Sequence, residues 1–371
     1  MKSIFIFCSV TILFLASALS VQAETRLSVD TELLNSVFSQ NGVDEEWNYV
    51  YSGKADLSLR NKGSRAIRSE VSLEFSEASA TSQVSIRKMY IRPSFGDALV
   101  SLGKTRSTWG TGTAFNAGDI LFGSSSINFD TTSSEPRSET AWLTNVEIPL
   151  GDFSFMEFIV LPPTSSGSTG LGSTAVSKAS AGGRLSLEAG PFHLQTGYLY
   201  RGDAIAGIGN SGQKAFLSIA GISPIDWQLS ASAYTFVDAF SPTQIRDSAM
   251  LSGGASYDLH FGLAKDSTLA LQIEFLVKPS ASFKKEVGAE YGLYLYPSIS
   301  LIPPGTIAYS VNSIISPIDT SALSTLAASW NIYEELTLLG YLSVQTGARE
   351  ATFNPDKPGG ISMSAGARYS F

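Results

Sequence analysis

The sequence predicts an all-β protein: a transmembrane antiparallel up-and-down β-barrel. Apolar residues alternate with small or polar ones along most of the chain, which is the period of half-buried strands. The connections between these segments are alternately short and long. After residue 24 no apolar run reaches the roughly 18 residues that a membrane-spanning helix needs. Strands are therefore the only elements expected to cross a membrane.

The composition excludes several other classes. Only 16% of the 371 residues are charged, below the roughly 25% of an ordinary soluble domain, and 43% are hydrophobic. The 25 Lys and Arg residues face 33 Asp and Glu residues, and no basic tract occurs. Nucleic acid is not an expected partner.

The N-terminal segment has a different pattern from the rest of the chain. Lys2 precedes an apolar run from Ile4 to Leu19, and Val21-Gln22-Ala23, with a small residue at the cleavage site, precedes the first acid, Glu24. This is the pattern of a secretory signal peptide, expected over residues 1–23. The only cysteine, Cys8, lies within it. The exported part, 24–371, is expected to form the barrel, without disulfides or thiolate metal sites.

Alternation defines each strand in turn. Leu57 and Leu59 alternate with Asp56, Ser58 and Arg60, for example. Eighteen strands are predicted, although 14 or 16 remain open. They cover residues 26–34, 54–60, 66–77, 82–93, 97–107, 140–150, 153–161, 178–189, 191–201, 213–222, 225–237, 248–259, 266–277, 286–296, 305–316, 321–331, 335–346 and 359–371.

Long loops fall on every second connection, with two exceptions, so short turns gather at one end and long loops at the other. A bilayer offers no water to unpaired backbone groups, so a sheet spans it only by closing on itself. Short periplasmic turns, long extracellular loops and an even strand number are typical of outer-membrane barrels. The predicted loops are 35–53, 108–139, 162–177, 202–212, 238–247 and 347–358.

The carboxyl terminus is an amphipathic strand that ends in an aromatic residue. Residues Ile361 to Phe371 alternate, and Tyr369 and Phe371 share the apolar face. This Tyr-x-Phe ending resembles the signal of bacterial outer-membrane proteins that the barrel-assembly machinery reads. The resemblance implies that this machinery and outer-membrane lipids are partners. A soluble β-sandwich closed by a terminal aromatic residue is the alternative.

The most distinctive segment leaves the fifth strand and opens the longest loop. It reads Gly-Lys-x-Arg-x-x-Trp-Gly-x-Gly from Gly103, followed by Phe-Asn-x-x-Asp from Phe115. It resembles a segment of porin-like outer-membrane barrels in which a strand ends and a loop folds toward the lumen. The resemblance implies that loop 108–139 enters the lumen. Ala117 stands where that family usually has a proline.

Two interpretations of this segment stay open. Lys104 and Arg106 could place two cations beside Trp109 at a pore constriction, with Asn116 and Asp119 in the same loop, since charged rings select ions in pores. Alternatively, the aromatic residues belong to an interfacial girdle or to a plug, and the two cations neutralise nearby carboxylates.

A second set of polar residues is predicted to line the lumen because it lies on the polar faces of strands. Opposite charges on neighbouring strands stabilise one another, so a structural salt-bridge network is the competing interpretation. The set comprises Arg60, Arg68, Glu70, Glu74, Arg87, His193, Gln195 and Glu274.

Motifs of catalysis are missing from the sequence. His193 and His260 are the only histidines, and no nucleophile-elbow, zinc-protease or phosphate-loop motif occurs. We expect no enzyme activity, no metal site and no cofactor.

The function expected from this fold is passive diffusion of small hydrophilic solutes through a polar lumen in the cell outer membrane. One alternative is a transporter of hydrophobic substrates, with Ile120, Leu121 and Phe122 in an apolar pocket. Another is an adhesin or surface antigen that uses the barrel as a platform. The sequence leaves the formation of homo-oligomers open.

Overall fold

Eighteen antiparallel strands form one closed sheet in the computed structural model of the protein. Each strand pairs with its neighbours in sequence, and β1 also pairs with β18. The described residues are 24–39, 46–62, 67–78, 81–123, 126–127, 131–132, 137, 139–163, 178–202, 212–222, 224–236, 241–262, 266–286, 289–305, 307–356 and 360–371. The predicted signal peptide, 1–23, lies outside them.

The strands and the single described helix take the following bounds, numbered in chain order. They are β1 Glu24–Ser39, β2 Trp47–Lys62, β3 Ile67–Ala78, β4 Thr81–Phe95, β5 Ala98–Thr105, β6 Ala141–Gly151, β7 Ser154–Leu161, β8 Ser180–Ala189, β9 Phe192–Arg201, β10 Gly212–Ile222, β11 Asp226–Phe236, α1 Pro242–Ser248, β12 Met250–Phe261, β13 Ser267–Val277, β14 Leu293–Ile302, β15 Ile307–Ser316, β16 Ser321–Tyr333, β17 Leu336–Thr346 and β18 Ile361–Ser370.

Closure of the barrel takes place between its first and last strands. The register pairs Glu32 with Arg368 and Asp30 with Ser370. Beyond the last strand, the backbone N–H of Phe371 donates to the carbonyl of Val29, and the N–H of Val29 donates to the carbonyl of Phe371. No edge remains open at this seam, which is the condition for a sheet to span a bilayer.

The outer face of the barrel is apolar. Leu33, Val84, Ile91 and Leu217 are more than half exposed, all on the side of their strands that points away from the lumen. Aromatic residues lie at both ends of this surface, among them Trp47 and Tyr49 near the long loops and Phe95 and Phe153 near the short turns. This is the pattern of a lipid-facing band with aromatic girdles. Among the described residues, no helix is long and apolar enough to cross a membrane.

The predicted strand number of eighteen is confirmed, but some boundaries differ. β1 continues to Ser39 and β2 begins at Trp47, so most of the predicted loop 35–53 is strand. The predicted strand 286–296 is displaced to Leu293–Ile302, because the preceding residues fold back on themselves through the Ser282–Tyr291 bridge. Helix α1 occupies part of the predicted loop 238–247, capped by Ser241.

The buried apolar core lies inside the barrel, between its wall and the connection from β5 to β6. One cluster joins Trp109, Ile120 and Leu121 of this connection to wall residues Leu199 and Phe216. A second cluster packs Ala114 and Phe115 against wall residues that include Leu276 and Tyr296. One side of the interior is therefore filled by packed side chains, as in a soluble core.

Candidate functional site

The connection between β5 and β6, residues 106–140, is called the inner loop here, and it begins at a buried carboxylate. Glu157 of β7 is 1% exposed and accepts hydrogen bonds from Ser107 Oγ at 2.8 Å and Trp109 Nε1 at 2.8 Å. Asn145 Nδ2 at 2.7 Å and Arg184 Nε at 2.6 Å complete its partners. A buried carboxylate needs such partners, since an unpaired one would cost several kcal/mol.

A tight turn follows at Gly110. Its φ of +72° lies in the region that favours glycine, and a Cβ there would approach Asn116 Oδ1 and Gly118 Cα to 2.6 Å. The N–H of Gly110 donates to Gln195 Oε1 at 2.9 Å, and Asn116 Nδ2 donates to the carbonyl of Trp109 at 2.9 Å. Only glycine allows the two limbs of the turn to approach this closely.

The tip of the turn is held by a second buried carboxylate. Glu274 of β13 is 0% exposed. It accepts from the backbone N–H groups of Thr113 at 2.9 Å, Ala114 at 2.9 Å and Phe115 at 2.7 Å. A carboxylate that accepts several backbone N–H groups forms strong charge-assisted hydrogen bonds. Glu274 therefore satisfies three donors that would otherwise be buried without partners.

Hydroxyl groups of the intervening strands complete this attachment. Thr111 Oγ1 lies 2.7 Å from Ser218 Oγ and 3.1 Å from Ser230 Oγ. The N–H of Ala117 donates to Ser252 Oγ at 2.8 Å. From β7 to β13, every strand thus supplies at least one inward side chain to the inner loop, which follows the curved wall across the barrel interior.

The returning part of the inner loop is tied to its own tip and to further strands. Arg137 Nε and Nη2 donate to the carbonyl of Ala114 at 3.0 and 2.8 Å. Thr131 Oγ1 lies 2.7 Å from Thr325 Oγ1 on β16, and Asn312 Nδ2 of β15 donates to the carbonyl of Thr131. The attachment therefore reaches β16.

Arg106 links both ends of the inner loop. Its guanidinium lies 2.8 Å from Glu139 Oε2 and 3.9 Å from Asp119 Oδ2. It also stacks over the Phe122 ring, 5.6 Å from the centroid. Asp119 is buried and accepts from the N–H of Phe122 at 3.3 Å. Arg106, Asn116 and Asp119, three predicted site residues, thus lie together within one folded segment.

Lys104 is the exception, and the prediction that it belongs to a constriction is wrong. In the register of β4, β5 and β6, Lys104 stands between Met89 and Trp142, both of which are exposed on the outer face. Its ammonium donates to the carbonyl of Ile86. Successive residues of a strand point to opposite faces, so Lys104 and the inward Thr105 cannot both face the lumen.

A second wall, formed by β18 and β1 to β4, carries most of the inward charges and is called the charged wall here. Arg87 lies 3.6 Å from Asp56 and 3.5 Å from Glu74, and Lys54 lies 3.2 and 3.3 Å from the same two carboxylates. These four residues form a network across three strands. Glu74 and Arg87 are among the predicted lumen residues.

A second network lies closer to the short turns. Glu70 is 3.5 Å from Arg60 and 3.8 Å from Lys88, and it accepts a hydrogen bond from Tyr90 Oη at 2.9 Å. Arg68, two residues before Glu70 on β3, pairs in register with Arg92. Glu70 itself is buried, but Arg60 and Lys88 are exposed to the lumen, so this network leaves positive charge accessible to solutes.

Of the other predicted residues, His193 lies on the interior wall, and Tyr369 and Phe371 lie on the outer face. His193 lies 2.7 Å from Ser186 Oγ and 3.2 Å from Gln195 Nε2, so it belongs to the wall that carries the inner loop. Tyr369 donates to Glu335 Oε2 at 2.7 Å, and its ring lies 5.8 Å from that of Phe371. Both terminal aromatic residues are exposed on the outer face.

Sequence reasoning missed Glu157, Arg184 and Arg137, which hold the inner loop. A signal for Glu157 exists, since it is the only charge in the apolar run from Phe153 to Leu161. A charge within such a strand requires a buried partner. Arg137 carries no comparable signal, because it lies in a long polar loop. Within the described ranges, no group of three or more His, Cys, Asp or Glu residues is arranged to hold a metal ion.

Comparison with known proteins supports the fold. No protein-family model and no curated protein matches the sequence. Among solved structures, OccD3 (OpdP) of Pseudomonas aeruginosa is 9% identical and has a TM-score of 0.55, covering 95% of this chain and 92% of that chain. OccAB4 of Acinetobacter baumannii is 11% identical with a TM-score of 0.54, covering 94% and 99%. At such identities the similarity shows a shared barrel fold.

Proposed function

We propose that this protein is a porin-like channel of the cell outer membrane that lets small hydrophilic solutes diffuse passively. The observation that carries the proposal is that the inner loop covers one part of the interior wall and leaves the charged wall open to the lumen. The inner loop is fixed to β7–β16, while the charged wall keeps partly exposed ion pairs toward the lumen. A polar lumen inside an eighteen-stranded barrel with an apolar outer face is typical of diffusion channels.

The charged wall indicates the ion preference of this channel. Among the side chains of this wall that the structure describes, inward cations outnumber inward carboxylates, although the whole chain carries a net charge of −8. The cations are Arg26, Lys54, Arg60, Arg68, Arg87, Lys88, Arg92 and Arg368, and the carboxylates are Asp30, Glu32, Asp56, Glu70 and Glu74. Charges that line a pore select ions of opposite sign. We expect anions to pass more easily than cations.

The transporter of hydrophobic substrates has less support. Ile120 and Leu121 are 3% and 2% exposed and pack against Leu199 and Phe216. They are part of the interior core and are not available to line an apolar pocket. Phe122 is partly buried against the same core.

Several further proposals complete this assignment. Residues 1–23 direct export as a signal peptide, and 24–371 form the barrel with loop 108–139 narrowing the lumen. Tyr369 and Phe371 present the signal for the barrel-assembly machinery, and the outer face contacts outer-membrane lipids. No enzymatic or cofactor chemistry is proposed.

Conductance in a planar bilayer tests the channel and the role of the inner loop. Discrete current steps are expected, with a reversal potential in a KCl gradient that reports anion preference. Arg106→Ala should change the conductance, because it removes the link between Glu139 and Asp119. Lys104→Ala is the matched control, since it removes the same charge from the outer face. A silent bilayer, or equal changes in both variants, would contradict the proposal.

A further inference from the structure

A cavity of about 620 Å³ lies between the inner loop and the inward face of β10–β12. Asn116 and Asp119 line it from the inner loop, and Lys214 and Tyr234 line it from the wall. Its rim is formed by residues of two long connections, α1 and the segment between β13 and β14. The cavity therefore lies toward the end of the barrel that carries the long loops, where a solute would arrive from outside.

Lys214 is the distinctive residue of this cavity. It lies on β10, two positions before the buried Phe216, and is only 9% exposed. Among the described residues, none forms an ion pair or a hydrogen bond with its ammonium group. A buried ammonium group without a partner is costly, and such groups normally pair with an anion.

The carboxylates around the cavity are already engaged. Glu290 pairs with Lys278, and Asp247 lies 2.9 Å from Arg246. The side chain of Asp119 is fully buried, accepts from the N–H of Phe122 and lies 3.9 Å from Arg106.

Arg201 adds to the positive potential around Lys214. It faces inward on β9, and the register pairs it with Gly212, two positions from Lys214. Asp119 attracts the Lys214 ammonium within the same cavity, but no carboxylate of the described part of the cavity lies within ion-pair distance of it.

Asn116 also lines the cavity, but its polar groups are turned to the inner loop. Asn116 is 2% exposed, and its Nδ2 donates to the carbonyl of Trp109. Its Oδ1 is buried and has no hydrogen-bond partner among the described residues. This oxygen lies inside the tight turn, against Gly110 and Gly118, and has almost no accessible surface, so a ligand in the cavity does not reach it. The Lys214 ammonium is therefore the group that distinguishes the cavity.

We propose that this cavity is a binding site for a small anionic solute. Its oxyanion group, a carboxylate or a phosphate, pairs with the Lys214 ammonium. The existence of this site does not depend on the proposed channel function. Its role, which is to capture the solute before passage, rests on that function.

Ligand-detected NMR on the detergent-purified protein tests the site without requiring a channel. The probes are glycolate and acetate by saturation transfer and inorganic phosphate by ³¹P line broadening. We expect saturable binding of at least one probe, weakened roughly tenfold or more by Lys214→Met and retained by Lys214→Arg. Lys104→Met, which removes the same charge from the outer face, should leave binding unchanged.

The outcomes separate the site from the channel. Binding of no probe, or equal binding by the wild type and Lys214→Met when both are folded, would overturn the site. Binding that depends on Lys214, together with a silent bilayer, would leave the site standing and contradict the channel instead.

Discussion

The wall that carries the inner loop and the charged wall use polar residues in opposite ways. In the first, Glu157 and Glu274 are buried, and together they accept hydrogen bonds from five groups of the inner loop. In the charged wall, carboxylates such as Glu74 pair with cations of neighbouring strands and stay partly exposed. Burial makes the first set structural, because each lost partner leaves a desolvated group. Exposure leaves the second set free to act on solutes.

The largest effect is expected from Glu157→Leu. This change leaves Arg184 and the Trp109 N–H buried without their acceptor, and breaking a buried pair from one side costs about 3–5 kcal/mol. The measurement is thermal unfolding in detergent, detected as the heat-dependent shift in electrophoretic mobility. The double variant Glu157→Leu/Arg184→Leu removes both charges and should be more stable than the single variant. If the single variant unfolds like the wild type, Glu157 is not a structural anchor.

Glu274→Ala should have the next largest effect, and it should appear in conductance. The N–H groups of Thr113, Ala114 and Phe115 lose their acceptor, but water in the lumen can hydrate them once the tip moves, so the cost should stay at about 1–3 kcal/mol. We expect the tip of the inner loop to detach, so that single-channel current becomes noisier and differs from the wild type. Glu274→Gln keeps one acceptor oxygen and should give an intermediate effect. A wild-type current in Glu274→Ala would show that the inner loop does not control the passage.

Arg87→Gln tests the charged wall and should affect selectivity more than stability. Arg87 is 30% exposed, and exposed ion pairs contribute only about 0–1 kcal/mol. Loss of its charge leaves Asp56 and Glu74 less compensated, so the reversal potential in a KCl gradient should shift toward cations. Ser58→Ala, on the same face of β2 without a charge, is the control. A loss of stability as large as that of Glu157→Leu would remove the distinction between the walls.

The sequence predicts the barrel well because alternation is a local property. Strand number, closure and the polar face of β3 follow from period two and from turn spacing alone. Lys104 shows where the motif misleads: the resemblance predicts it at a constriction, but it is the strand neighbour of the inward Thr105, so alternation places it on the outer face.

The attachment of the inner loop could not be predicted from the sequence. Glu274 contacts residues about 160 positions away, and no local pattern encodes which strand lies beneath the tip of a loop. The polar face of β13 suggested only that Glu274 lines the lumen. Lys214 gave no signal either, because one lysine near the end of a strand resembles any interfacial lysine. Long-range packing decides both, and it is visible only in three dimensions.

The smallest effect is expected for Asp319, in the turn between β15 and β16 at the end of the barrel. Like Glu274, it is a buried carboxylate that accepts a backbone hydrogen bond from another connection. Burial alone would raise the pKa of Asp319, but hydrogen bonds from the Thr352 N–H and from Ser321 hold this pKa below its usual value. The carboxylate therefore stabilises the fold above the pKa of the unfolded chain. This contribution is lost as the pH falls through the lower, folded pKa. The thermal stability of the wild type should decrease in that acidic range. Asp319→Asn should be less stable than the wild type at neutral pH and should lose less stability as the pH falls. If the stability of Asp319→Asn falls as steeply in acid as that of the wild type, other carboxylates cause the acid dependence. Those of the charged wall would be tested next.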